Sequence, residues 1–283
     1  MSGTAGIRQV AGTRDIFSMV EMSTSADVVQ AYATAPAEAG TGAVSDVEFT
    51  IDKKSINVPV PYDLFKNTQW KDAIANIHNM GIPSEVQEAM VLNIVDQAAK
   101  TVESELWNSN DGAAQSPAAT INGFIKVIND KLTAASLTAQ ILSATNPTTV
   151  AANIQGILDS MVAVVPTALL ADLTSTKFAM SPATHYAYTR SLETQSAAVL
   201  DTNALRFGGF EIVVIPNLNP KTIVMGIMNN LGVGTPSNVN DMISLDVIDQ
   251  KENLKNQANI FGNFGYGAGA VTTDWVTFED LTA

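Results

Sequence analysis

An α+β fold is predicted from three observations. Strand-type segments stand towards both ends of the chain, at 47–62 and from 211 onwards. Two segments with helical spacing of apolar residues, 84–108 and 147–164, lie between them. Glycine and proline punctuate the boundaries, and no internal repeat of about 20–50 residues is visible. The chain has 283 residues, enough for a sizeable core.

Segment 1–45 is rich in Ala, Ser, Thr and Gly. Its stretch 24–45 (TSADVVQAYATAPAEAGTGAVS) has small side chains and little periodicity, so it reads as an extended arm or loop that partner surfaces would order, or else as a floppy terminus. Segments VEFTI (47–51) and INVPVPY (56–62) flank the polar DKKS (52–55), which predicts a β-hairpin with a charged tip. Pro59 and Pro61 have no N–H to donate to a ladder, so the second strand lies at an edge or in a free ribbon. Two strands alone are marginal in water, so such a ribbon must lie on something.

The longest helix is expected over 84–108. Ser84 and Gln87 have capping-box spacing, and Glu85 and Glu88 suit the positive end of the helix dipole. Val91, Val95, Ala98, Val102 and Leu106 form its apolar stripe. Segment 109–147 is mixed, with an amphipathic stretch FIKVINDKL at 124–132. A second helix is expected to open at Pro147 and stop at Pro166. Strand KFAM (177–180) then meets Ser181-Pro182, an N-cap followed by proline at the first helical position. Strands follow at 211–215 and 222–228, and NNLGVGT (229–235) reads as a turn-rich link. The last fifty residues read as all-β: MISLDVID (242–249), LKNQANIFGNF (254–264), the glycine-rich GYGAGA (265–270) and VTTDWVTF (271–278).

Composition excludes several kinds of chemistry. There is no cysteine, hence no disulfide, thiolate zinc site or cysteine nucleophile, and two histidines, His78 and His185, cannot make a three-histidine metal site. With 15 Lys+Arg against 28 Asp+Glu, the net charge of −13 argues against binding nucleic acid by phosphate neutralisation. Residues 1–20 lack a basic and then apolar secretory pattern, and no apolar run approaches the about 20 residues that span a bilayer, so a soluble product without a membrane partner is expected.

No catalytic motif emerges. Gly262, Gly265, Gly267 and Gly269 are followed by neither lysine nor a helix, which fits a bulge or tight turn in a sheet better than a phosphate cradle. Ser181 lacks the flanking glycines of a nucleophile elbow and reads as a helix cap; with His185 it has no orienting carboxylate nearby. Asp241, Asp246 and Asp249 do not match a calcium loop and read as a solvated face. Lys53 and Lys54 form the most exposed basic pair, protecting an edge or contacting acidic neighbours. No catalytic, metal-ligating or cofactor-binding residue is therefore expected.

The order of parts resembles the HK97-type major capsid protein of tailed bacteriophages. The resemblance rests on hairpin 46–62 followed by helix 84–108, on TTVAANIQGILDSMVAVVP (148–166) and KFAMSPATHYAYTRSL (177–192), and on FGGFEIVVIPNL (207–218). MNNLGVGT (228–235) and NIFGNFGYGAGAVTTDWVTF (259–278) complete it. It implies an N-terminal arm (1–45), an extended hairpin loop (46–62), a spine helix with the first part of a peripheral domain (63–147), an axial domain (148–235) and closing peripheral strands (236–283). It implies no enzyme, but a shell protein assembling through pentamers and hexamers into an icosahedral virion capsid in the bacterial cytoplasm. The shell encloses double-stranded DNA without specific binding, and separate scaffolding, portal and decoration proteins are further partners. Lys53, Lys54, Phe65 and Trp70 are the candidate inter-subunit contacts. Some members crosslink a loop lysine to a neighbour's asparagine; no partner asparagine is identifiable here, and crosslinking is not predicted. An encapsulin-like shell around enzyme cargo is the alternative within the fold, and a monomeric α+β enzyme is the alternative outside it.

Overall fold

The computed structural model describes residues 6–12, 16–24, 42–61, 84–108, 122–144, 153–195, 205–236, 244–249 and 257–280. Two sheets and a two-stranded ribbon organise them. The first sheet runs β1 (Arg8–Gly12), β10 (Leu231–Pro236), β12 (Gln257–Ala270), β11 (Ser244–Asp249), with β4 (Asp52–Pro61) also paired to β12. The second runs β5 (Ile141–Ala144), β13 (Trp275–Asp280), β9 (Thr222–Ile227), β6 (Thr176–Met180), β8 (Phe210–Val214), β7 (Arg206–Phe207). The ribbon joins β2 (Ile16–Thr24) and β3 (Gly42–Thr50) antiparallel.

The second sheet is covered on both faces, which its strand alternation dictates. Phe178, Met180, Ile212, Ile223, Met225, Val276 and Phe278 face α3 (Ile154–Ala163) and α5 (Pro182–Gln195) in one core. Their sequence neighbours Ala179, Val213, Val224 and Trp275 face the other core, with α2 (Phe124–Ala134) and the end of α1 (Ser84–Asn108). Gly226 lies opposite Trp275 in register, and a Cβ there would overlap the indole. Gly208 and Gly209, both at positive φ, form the two-residue turn between β7 and β8.

Several expectations hold. Helix α1 spans Ser84–Asn108, and α2 covers the amphipathic 124–132 stretch. The Ser181 hydroxyl accepts from the Thr184 N–H at 3.1 Å and pairs with the Thr184 hydroxyl at 2.9 Å, so the cap at the start of α5 is real. The second helix begins at Ile154 among the described residues; the expected opening at Pro147 lies outside them. Pro166 then precedes a short helix not expected from sequence, α4 (Thr167–Ala171).

Other expectations are corrected. The strands of 46–62 do not pair with each other. β3 pairs with β2, and β4 pairs with β12 from Asp52↔Tyr266 to Pro61↔Gln257. Only Ile51 separates β3 from β4, and Asp52-Lys53-Lys54-Ser55 has neither glycine nor an Asn-Gly pair to close a tight hairpin, so the chain runs extended from ribbon into sheet. Segment 1–45 is more than an arm: β1 adds in parallel to β10, and β2 is half of the ribbon. The supposed link 229–235 contains β10, and the supposed turn 265–270 is the end of one fourteen-residue strand, β12. The division at 235/236 also cuts across the sheets, since β10 joins the first and β13 the second.

Candidate assembly surfaces

Three features lie on or beside the first sheet. The first is the seat of the ribbon. β10 and β12 alternate glycine with apolar residues, and period-2 alternation sends the two sets to opposite faces. Leu231, Val233, Ala268 and Ala270 pack into or against the core beneath α1 and α2. Gly232 and Gly234 pair in register with Gly269 and Gly267, so four glycines pave one patch of the other face. Met19 lies over Gly232, Phe17 over Gly234, the Thr50 carbonyl over Gly267 and the Phe49 ring over Gly269. Phe17 and Phe49 are cross-strand partners with ring centroids 5.2 Å apart. With Ile51 and Val271 they make a small third core at the base of the ribbon. On the ribbon's opposite face Ile16, at this base, and Val20 and Val44, farther along, are exposed.

The second feature is helix α1. Its C-terminal end is fixed: Leu106 and Trp107 are buried, and Trp107 packs edge-on against Phe124 at 5.0 Å. The Asn108 side chain donates to the Asn217 carbonyl at 2.7 Å and accepts from the Asn219 N–H at 2.8 Å, clasping the loop between β8 and β9. Val86 and Met90 are buried nearer its start. Of the expected stripe, Leu106 is buried and Val91, Ala98 and Val102 are half-buried, while Val95 is 42% exposed; Leu92, outside the stripe, is 61% exposed. A groove of about 410 Å³ runs between this stretch and β4, lined by Ile56, Val58, Ile94, Ala98 and Val102. A cavity of about 200 Å³ lies under the C-terminal half, walled by Ile7, Val102, Trp107 and Phe264.

The third is a polar cluster between helix and sheet. Lys54 of β4 pairs with Glu105 of α1 at 3.4 Å, and the Tyr266 hydroxyl donates to the same carboxylate. Burial, then the hydrogen bond and charge of Glu105, push the Tyr266 phenol well above its usual range. Lys53 and Lys54 are thus not a basic tip. They lie near the start of β4, which pairs only with β12 among the described strands and so stands at the sheet's edge as expected, and they take alternate faces, Lys53 exposed and Lys54 largely covered. Sequence reasoning had no signal for Glu105 or Tyr266, whose link to Lys54 is long-range. Phe65, Trp70 and His78 lie outside the described residues, as does Asp241.

The backbone carbonyl of Ser181 accepts from the His185 N–H at 2.9 Å, so the pair is joined through the helix cap. Among the described residues no group of three or more His, Asp or Glu could hold a metal, and no helix is long and apolar enough to cross a membrane.

No family model matches the sequence, and no curated protein matches it. Solved structures do match along nearly the whole chain. A chain of the satellite phage P4 procapsid, which includes the size determination protein, aligns with TM-score 0.60 and 9% identity over 96% of this chain and 92% of its own. A chain from the capsid of an empty GTA particle aligns with TM-score 0.58 and 10% identity over 100% and 91%. One from Mycobacterium phage Adephagia aligns with TM-score 0.56 and 12% identity over 99% and 89%. These likenesses define the class by fold: the chain has the α+β fold of phage capsid proteins. More particularly, it is the HK97-like capsid fold that the sequence resembles.

Proposed function

We propose that this protein is a major capsid protein that assembles through pentamers and hexamers into a closed shell around double-stranded DNA. The observation that carries the reading is the whole-length match: 96–100% of this chain aligns with about nine-tenths of each capsid chain. Both the ribbon and the body are therefore accounted for. In this reading β2–β3 is the extended loop, in place of 46–62, and α1 is the spine helix. The exposed apolar residues of the ribbon and of mid-α1 meet neighbouring subunits. A net charge of −13 keeps packaged DNA from adhering to the shell, because few cations are present to displace its counterions. Separate scaffolding, portal and decoration proteins complete the particle, and the host cytoplasm is where it forms.

Light scattering followed by negative-stain electron microscopy of the expressed protein tests this. Closed shells, or rings of five and six subunits, are expected. A subunit that stays monomeric at all salts and concentrations, alone and with the products of its neighbouring genes, overturns the proposal. Protein cargo rather than DNA inside shells from infected or producing cells replaces it with the encapsulin-like alternative.

A further inference from the structure

We propose that the four-glycine patch is a preformed seat that fixes the direction of the β2–β3 ribbon on the free subunit, before any neighbour is met. A two-stranded ribbon alone does not hold its shape in water, and the resemblance on its own suggests one ordered only by partners. The structure supplies a local support instead.

Gly232, Gly234, Gly267 and Gly269 form a two-by-two block through the pairs Gly232↔Gly269 and Gly234↔Gly267. Glycine is disfavoured inside strands because it loses the most backbone freedom and packs no side chain. Here each one meets a different part of the ribbon base, and a Cβ at any of the four would overlap it; at Gly269 the Phe49 ring would stand 2.7 Å away. The patch is a negative imprint of Phe17, Met19, Phe49 and the Thr50 backbone. One further feature constrains the angle. Ile51, the single residue between β3 and β4, is buried, so ribbon and sheet are joined with no slack on that side. The ribbon's outer face, with Ile16, Val20 and Val44, is thereby presented in one orientation. A neighbour that binds it does not have to order its base, which lowers the entropic cost of association.

Hydrogen exchange on the full-length free subunit decides the matter. Amides at the base of β2 and β3 in the native chain should exchange at least about a hundredfold more slowly than in an unstructured peptide. Gly234→Ala should speed exchange in β2 and β3 at least about tenfold while β6 and β9 stay unchanged. Adding Phe17→Ala to Gly234→Ala removes the overlapping ring and should restore much of the protection, a non-additive result. Should Gly234→Ala and Gly269→Ala unfold the whole chain, Phe17→Ala alone, which creates no overlap, must still loosen the ribbon selectively. Unprotected ribbon amides in the native chain, or ribbon and β6/β9 amides that respond equally to Phe17→Ala, overturn the seat. Only the consequence for association rests on the capsid reading. Native subunits that show the exchange pattern but never form shells leave the seat standing and refute the capsid assignment.

Discussion

Lys54 and Glu105 face each other across 3.4 Å with only 12% and 13% of their side chains exposed, tying strand β4 to helix α1 where Tyr266 donates to the same carboxylate. An ion pair so covered is costly to break from one side, because the remaining charge loses its partner without regaining water. Lys54→Met is expected to lower stability by about 3 kcal/mol. Combining it with Glu105→Gln should cost less than the sum of the single changes, by about 1 kcal/mol or more. Urea unfolding of the four members of this cycle measures the coupling, and strict additivity would contradict it.

Tyr266 gives the subunit a signature in alkali. Its folded phenol titrates above its unfolded value of about 10, chiefly through burial and then through Glu105. As pH rises past the unfolded value, the unfolded chain loses this proton while the folded chain keeps it. The stabilisation is therefore complete below pH about 10 and is lost on rising above it. Tyr188, raised by burial, acts in the same direction. Lys131 acts oppositely: burial lowers its pKa, so stability gains as pH climbs from the folded towards the unfolded value. Tyr266→Phe should be less stable than the native chain at pH about 8, and the gap should narrow by pH about 11. Unfolding midpoints of both proteins at the two pH values check this.

Asn108 tests the clasp at the end of α1. Asn108→Asp keeps an acceptor for the Asn219 N–H but sets a carboxylate against the carbonyls of Ser104 and Asn217, which now receive from the amide at 3.0 and 2.7 Å. A loss of about 1–2 kcal/mol is expected at neutral pH. The new carboxyl is held above its unfolded value of about 3.9 by those carbonyls, so acidification should return part of the loss. Thermal unfolding at pH about 4 and 7 gives the comparison.

Mid-α1 separates folding from assembly. Leu92→Asp and Val95→Asp alter exposed side chains, so each should change subunit stability by no more than about 0.5 kcal/mol. In the capsid reading each also places an unpaired charge in a contact between subunits, and shell yield by light scattering should fall sharply. Normal shells from both variants would remove mid-α1 from the interface.

The sequence was most informative where its signals are local. The α1 boundaries follow from a capping pattern and a stripe, and the start of α5 from Ser181-Pro182, because caps depend on residues three or four apart. Pairing was not legible. Nothing near 42–61 says that β3 seeks β2 or that β4 seeks a strand two hundred residues on, since those choices are made by the surfaces that meet. The largest misreading concerned LGVGT and GYGAGA. Glycine there predicts a turn-rich link, or a bulge or tight turn in a sheet, but glycine at every second position with an apolar residue between is also what a strand needs when another backbone lies on one face. Helix α1 is the converse case: periodicity identifies the helix but not that Val95 of its stripe stays exposed.

The position of β13 bears on how the chain comes to be made. This strand, last in order among those described, lies between β5 and β9 and brings Trp275 and Phe278 into the two main cores. The opening strand β1 likewise waits for β10, formed far downstream. A nascent chain emerging from the ribosome can thus close neither sheet until nearly all the described sequence has been translated. Long-range pairing of this kind slows folding, and a product cut short before β12 and β13 lacks the strands that complete both sheets.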